Sequence, residues 1–131
     1  MVRFVKEKFG GIDLLVPNAA VSTHFGLFID TPAEAMDKMY EINYKSVHML
    51  VKECIPLMEN RKGANIILMS SLGAFEPEKV IGFYSITKTM LVIMAKLMAQ
   101  ELTESGIRVN CVCPGLIKTK FSSGLWEGRE K

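Results

Sequence analysis

The stretch Asn65-Ile66-Ile67-Leu68-Met69-Ser70-Ser71, followed thirteen residues after Ser71 by Tyr84-Ser85-Ile86-Thr87-Lys88, decides the reading of this chain. The first five residues form a short, uninterrupted apolar run. Such a run reads as a strand of a parallel sheet. Tyr84 and Lys88 are four apart, so a helix carries both on one face. A strand that ends in serines and leads to a helix bearing a tyrosine and a lysine is a layout for proton transfer beside a carbonyl. A nearby ammonium favours the phenolate and is expected to lower the tyrosine pKa. Ser71 lies just past a strand end, where α/β sheets place ligands. Its hydroxyl is a candidate holder of the substrate oxygen.

The same alternation runs outward in both directions. Val2 to Phe9 reads as a helix stopped by Gly10-Gly11, and Ile12 to Val16 as a buried strand ended by Pro17-Asn18-Ala19-Ala20. Asp30 or Thr31, with Pro32 and Glu34, predicts a capping box for a helix that runs on through Met58, with Pro56 as a kink. Tyr84 to Glu104 reads as a long helix, apolar nearly all round, closed by Ser105-Gly106. Ile107 to Cys113 reads as a third strand, broken by Pro114-Gly115. Strands alternating with long helices require a parallel sheet with right-handed crossovers. Three strands are few for one, and one face of the sheet is expected to lack cover. The apolar helix from Tyr84 is expected to pack on the sheet and against a second subunit. Leu116 to Trp126 is too short and broken to complete a layer.

Composition narrows the classes. The chain has 131 residues, 49% of them hydrophobic, and a formal net charge of +2. That suits one packed domain and leaves no basic footprint for nucleic acid. No apolar run approaches a membrane span. Residues 1–8 carry no long apolar h-region, so an intracellular protein is the expectation. The three cysteines, Cys54, Cys111 and Cys113, are odd in number and argue against a disulfide scaffold. With only His24 and His48 to assist them, no metal site is expected. His24 and His48 read as surface or packing residues. Tyr40 and Tyr44 lack a lysine at catalytic spacing. Trp126 is a candidate pocket residue.

With Ser71, Tyr84, Lys88 and Pro114-Gly115 in place, the chain resembles the classical short-chain dehydrogenase/reductase family. It looks closest to the member-4 branch of NADP-dependent carbonyl and retinal reductases. The resemblance implies an α/β fold, a Rossmann-like doubly wound parallel sheet. It implies that only the central and C-terminal-half strands are present. Ser71, Tyr84 and Lys88 match the family's catalytic residues, and Asn43 in Glu41-Ile42-Asn43 matches its helix asparagine. That asparagine adopts a local distortion in family members and holds a water. The implied relay runs from Tyr84 through the nicotinamide ribose to Lys88, water and Asn43. Asn18-Ala19-Ala20 resembles the family's Asn-Ala-Gly signature, with Ala20 in place of glycine and Pro17 in place of a polar residue. Pro114, Gly115 and Thr119 resemble the segment that contacts the nicotinamide. The implied cofactor contacts are therefore Asn18, Ala19, Tyr84, Lys88, Pro114, Gly115 and Thr119.

No Thr-Gly-x-x-x-Gly-x-Gly motif occurs in the sequence. Residues 1–131 are therefore expected to be a partial domain of the family, without the glycine-rich cofactor turn and without the C-terminal end. The implied activity is NAD(P)-dependent interconversion of a carbonyl and an alcohol, with NADP the expected cofactor and NAD the alternative. Little or no turnover is expected from these 131 residues alone. The competing reading is a catalytically inactive truncated paralogue that binds family subunits. A third, an unrelated α/β module, requires Tyr84 and Ser71 to lie far apart. The expected partners are a small carbonyl or alcohol substrate and, through the 84–104 helix, further copies of the chain. Arg129-Glu130-Lys131 is not a peroxisomal signal. Cytoplasm is expected, with peroxisome or mitochondrion as alternatives.

Overall fold

The structure is a computed structural model, and it describes residues 1–127. Arg129-Glu130-Lys131 lies outside the described residues. The helices are α1 (Val2–Phe9), α2 (Ala33–Tyr40), α3 (Ser46–Met58), α4 (Gly82–Glu101) and α5 (Ser123–Trp126). The strands are β1 (Leu14–Leu15), β2 (Asn65–Met69) and β3 (Arg108–Val112). The sheet has the order β1-β2-β3, parallel throughout. Leu14 pairs with Asn65, and Asn65 in turn with Arg108.

The expectation of a sheet limited to central and C-terminal-half strands is corrected here. An N-terminal strand, β1, is present and forms an edge of the sheet. It is shorter than the expected 12–16. Ladder pairing stops at Leu15, two residues before a buried Pro17, which has no N–H to donate. Among the described residues helices cover one face of the sheet only, in line with the expectation that a three-stranded sheet leaves one face without cover. Ile66, Leu68 and Val109, on one face, enter a single core with Val47, Val51, Cys54 and Met58 of α3 and Leu91, Met94, Ala95 and Met98 of α4. The opposite face carries Leu14, Arg108, Asn110 and Val112, all exposed. The period-two alternation of a strand makes this division visible residue by residue.

The predicted helix over 31–58 is one helical path with a defect in it. The capping box does not form: Thr31 Oγ1 donates to the carbonyl of Phe28 instead, at 2.8 Å, and α2 starts without a side-chain cap. Between α2 and α3 the helix widens into a π-helical turn, Glu41–Lys45. The expected distortion at Asn43 is this turn. Pro56 is accommodated inside α3 without ending it. Gly10, at φ 73°, closes α1 in the left-handed region, and its N–H reaches the Lys6 carbonyl.

Candidate active site

The site is built where β2, β3 and the start of α4 converge. Beyond Met69 the strand direction is held by Ser70, whose N–H donates to the Val112 carbonyl at 2.8 Å. The Ser70 hydroxyl donates to the Lys88 carbonyl at 2.7 Å, tying the strand end to α4. Ser71 then starts a tight turn over Leu72–Ala74, and its Oγ accepts the Gly73 N–H at 3.1 Å. Gly73 is buried there, and a Cβ at its position would lie 3.0 Å from Ser85 Oγ. This close approach of turn to helix brings Ser71 to the first turn of α4, where Tyr84 sits.

Lys88, one turn further on, is 4% exposed. Its Nζ donates to the Met69 carbonyl at 2.8 Å and lies 5.4 Å from the centre of the Tyr84 ring. Burial pulls the Lys88 pKa down to about 8. Tyr84 is half-buried, and burial raises its pKa, with the Ser71 side chain opposing the shift through a hydrogen bond. The sequence expectation that Lys88 lowers the tyrosine pKa is therefore not met in this geometry. Desolvation is the larger effect, and the same desolvation weakens the lysine's own charge. The result is a phenol that keeps its proton at neutral pH, hydrogen-bonded to a serine hydroxyl.

Asn43 is fully buried at the π-helical turn. Its Oδ1 accepts the Val21 N–H at 2.8 Å, and its Nδ2 donates to the Val21 carbonyl at 2.9 Å and to Thr87 Oγ1 at 3.1 Å. The Thr87 hydroxyl donates to the Tyr84 carbonyl at 2.7 Å. Asn43 thus fastens the loop after β1 to the helix turn that carries Tyr84. Sequence reading missed Thr87 and Val21. Thr87 is one of two polar residues, with Ser85, between Tyr84 and Lys88, so polarity does not single it out, and loop docking on Asn43 has no local signature.

Ser71, Tyr84, Lys88, Asn18, Pro114, Gly115 and Thr119 border one cavity of about 570 Å³. Ala19 and Asn43 are not among the residues bordering it. Apolar side chains, among them Phe25, Ile81, Leu116 and Phe121, supply much of the remaining wall. The Phe121 ring centre lies 6.1 Å from that of Tyr84. Thr119 is already engaged: its N–H donates to Ser122 Oγ at 3.1 Å, and the two hydroxyls lie 3.3 Å apart. Trp126, a candidate pocket residue, is not among the residues bordering the cavity, and its Nε1 donates to Ser122 Oγ at 3.1 Å. His24 contacts the Leu27 carbonyl within its own loop, and His48 is exposed on α3. Among the described residues no group of His, Cys, Asp or Glu could hold a metal ion.

The donor set fits the nicotinamide end of a dinucleotide. An ammonium has three donors, and Lys88 gives one to Met69, leaving two for the hydroxyls of a ribose. Gly115 presents backbone without a side chain, and a Cβ there would meet nothing within 4 Å.

Comparison with known proteins agrees with this geometry. A family model described as enoyl-(acyl carrier protein) reductase matches residues 1–131. Dehydrogenase/reductase SDR family member 4 of Bos taurus is 46% identical over 118 residues, 90% of this chain and 42% of that protein. The Homo sapiens protein of the same name is 45% identical over 122 residues, 93% of this chain and 44% of its own length. A short-chain dehydrogenase/reductase structure from Brucella melitensis superposes with a TM-score of 0.89 at 32% identity, covering 98% of this chain and 51% of that one. The chain spans less than half the length of these two curated relatives. The unrelated α/β module falls with these matches and with the joint placement of Tyr84 and Ser71 on one cavity. On fold, motif and identity together, the chain belongs to the short-chain dehydrogenase/reductase family, in its member-4-like branch.

Proposed function

We propose that the protein interconverts a carbonyl and an alcohol with a nicotinamide cofactor, using Tyr84 as the acid and base. The observation that carries this reading is the meeting of Tyr84, Ser71 and Lys88 on one apolar-walled cavity. Bound NADP, with NAD as the alternative, supplies or accepts the hydride. Asn18, Tyr84, Lys88, Pro114, Gly115 and Thr119, all on the cavity, are the residues assigned to hold it, with Ala19 set back from the wall. Ser71 positions the substrate oxygen by hydrogen bonding. Tyr84, protonated at neutral pH, donates its phenolic proton to that oxygen in the reductive direction and removes it in reverse. Lys88 stands beside the phenol as the positive charge that offsets developing phenolate, and Asn43 holds the turn that carries Tyr84. The raised phenol pKa favours reduction at neutral pH and makes alcohol oxidation faster as pH rises.

The substrate reading is a ketone, aldehyde or secondary or primary alcohol, with aromatic ketones first because the wall carries Phe25 and Phe121. The three free thiols suit a reducing compartment, and the cytoplasm is assigned on that ground. No helix among the described residues is long and apolar enough to cross a membrane. A second reading, an inactive paralogue that binds family subunits, is favoured by one observation: Ile86, Ile93 and Leu97 lie exposed on α4. The same stripe is the surface assigned to homo-oligomer formation.

The test is turnover of acetophenone by the natively purified protein, with NADPH and with NADH, against Tyr84→Phe. Removal of a positioned general acid is expected to lower kcat by at least about a hundredfold. Wild-type turnover that survives the substitution sinks the assignment. Absence of turnover together with stable co-purification of a family reductase favours the second reading.

A further inference from the structure

One hydroxyl ties together the cavity wall between β3 and α5, and its hydrogen bonds leave a neighbour's hydroxyl unclaimed. Ser122 borders the cavity and is 9% exposed. Its Oγ accepts the Thr119 N–H at 3.1 Å and the Trp126 Nε1–H at 3.1 Å. Its own hydrogen has two carbonyls in reach, that of Ile117 at 2.5 Å and that of Thr119 at 3.2 Å, and the shorter contact takes it. A serine hydroxyl has one hydrogen to give and two lone pairs that accept. In Ser122 all three are occupied.

The Thr119 hydroxyl lies 3.3 Å from Ser122 Oγ, within reach to donate to it. With both lone pairs of that oxygen taken, it finds no acceptor there. Thr119 borders the cavity, so its hydroxyl hydrogen is left for a group bound in the cavity. Trp126 maintains this state without bordering the cavity itself. Its ring N–H fills the second lone pair of Ser122 Oγ and also lies 3.3 Å from the Thr119 carbonyl. Without that N–H, Ser122 offers an open lone pair beside the Thr119 hydroxyl, which then turns away from the cavity to fill it.

We propose that Trp126 is a positioning residue: acting through Ser122, it aims the Thr119 hydroxyl at the nicotinamide end of the cofactor. This rests on the assignment of Thr119 to the cofactor in the reductase reading of the same cavity. Trp126 touches no reacting atom, so its effect falls on cofactor affinity rather than on the ketone.

The experiment is calorimetric titration of the natively purified protein with NADPH, with thermal melting and acetophenone turnover alongside, for wild type, Trp126→Phe, Thr119→Val and the double variant. Phenylalanine keeps a ring beneath the Lys118 ammonium, which stands 5.5 Å from the Trp126 centroid, and loses the N–H. Valine keeps the shape and the backbone N–H of Thr119 and loses the hydroxyl. Thr119→Val is expected to raise the NADPH Kd about fivefold, the worth of one neutral hydrogen bond. Trp126→Phe is expected to raise it about threefold, with the KM for acetophenone at saturating NADPH level. In the Thr119→Val background, Trp126→Phe is expected to add nothing to the Kd, because the hydroxyl it aims is gone. A Kd unchanged by Trp126→Phe overturns the positioning role. So does a rise that persists in the Thr119→Val background with a lower Tm and a higher ketone KM, the pattern of a merely structural loss in the 117–126 segment. A Kd unchanged by Thr119→Val overturns it as well, and leaves the carbonyl reaction standing as long as wild type turns acetophenone over. Wild type that neither binds NADPH nor turns acetophenone over overturns the reductase reading and the positioning role with it.

Discussion

Lys88 is a cation held where little water reaches it, and its depressed pKa is a statement about stability as well as chemistry. An unfolded lysine keeps its proton up to about pH 10.4. Folded Lys88 releases its own near pH 8. Between those values the unfolded chain binds more protons than the folded one, so Lys88 contributes stability that grows as pH rises through that window. Cys111, pushed up to about 11 mainly by burial, acts in the opposite direction above pH 9, so the raw pH profile mixes the two. The difference between wild type and Lys88→Met removes that mixing. Wild-type Tm minus variant Tm is expected to increase by several degrees from pH 7.5 to 9.5, on the usual few degrees per kcal/mol for a chain of this size. A pH-independent difference would show that Lys88 is not held in its neutral-leaning state. At this scale the sequence was informative where geometry is local. Four-residue spacing placed Tyr84 and Lys88 on one helix face, and the strand-end position placed Ser71 beside them. Spacing does not report burial, and so the direction of the Tyr84 shift was not legible.

The helical path from α2 to α3 depends on its one defect. A π-helical turn shifts the ladder by a residue and commonly marks a functional position. Here it carries Asn43, and Asn43 spends its side chain on both backbone groups of Val21 and on Thr87. Asn43→Ala takes the partner from a donor and an acceptor of the part-buried Val21 backbone, at a cost of about 1 kcal/mol each. A Tm lower by several degrees is therefore expected, together with a loss of kcat larger than any change in KM, because the Tyr84 turn loses its anchor through Thr87. Asn43→Asp keeps the acceptor for the Val21 N–H but sets a carboxylate oxygen against the Val21 carbonyl and Thr87 Oγ1 in place of the donating amide, and at this fully buried position it is expected to lower the Tm at least as much as Asn43→Ala. Equal Tm for Asn43→Ala and wild type would mean that the loop after β1 is held by other contacts. The elements themselves were mostly legible, because period 2 and period 3.6 are written in β2, β3 and α4. Two features were not. The capping box at Thr31 lost to a local turn bond with Phe28. β1 stopped at Leu15 under a buried proline.

At the scale of the molecule, the reacting end of the site is self-contained and the anchoring of a dinucleotide is not. Ser70, Met69, Lys88, Thr87, Asn43 and Val21 hold one another through hydrogen bonds internal to these residues. Pyrophosphate binding in such folds uses a glycine turn between a strand and a helix, where free amides and the helix dipole meet the charge. In this sequence Gly10-Gly11 lies between a helix and a strand, the reverse order, and Gly10 is spent closing α1. The 131 residues produced alone are therefore expected to fold, to keep Tyr84 beside Ser71, and to bind NADPH with a Kd on the order of millimolar, the strength of a few hydrogen bonds without phosphate anchoring. Turnover is expected to be correspondingly slight, since hydride transfer requires placement within a few tenths of an ångström and loose placement costs orders of magnitude. Calorimetric titration of the 131-residue chain with NADPH, followed by a single-turnover measurement at saturating cofactor, separates the two effects. Micromolar binding with robust Tyr84-dependent turnover would mean that the groups around Lys88, Pro114, Gly115 and Thr119 orient the cofactor without help, and that the glycine turn is dispensable for this chemistry.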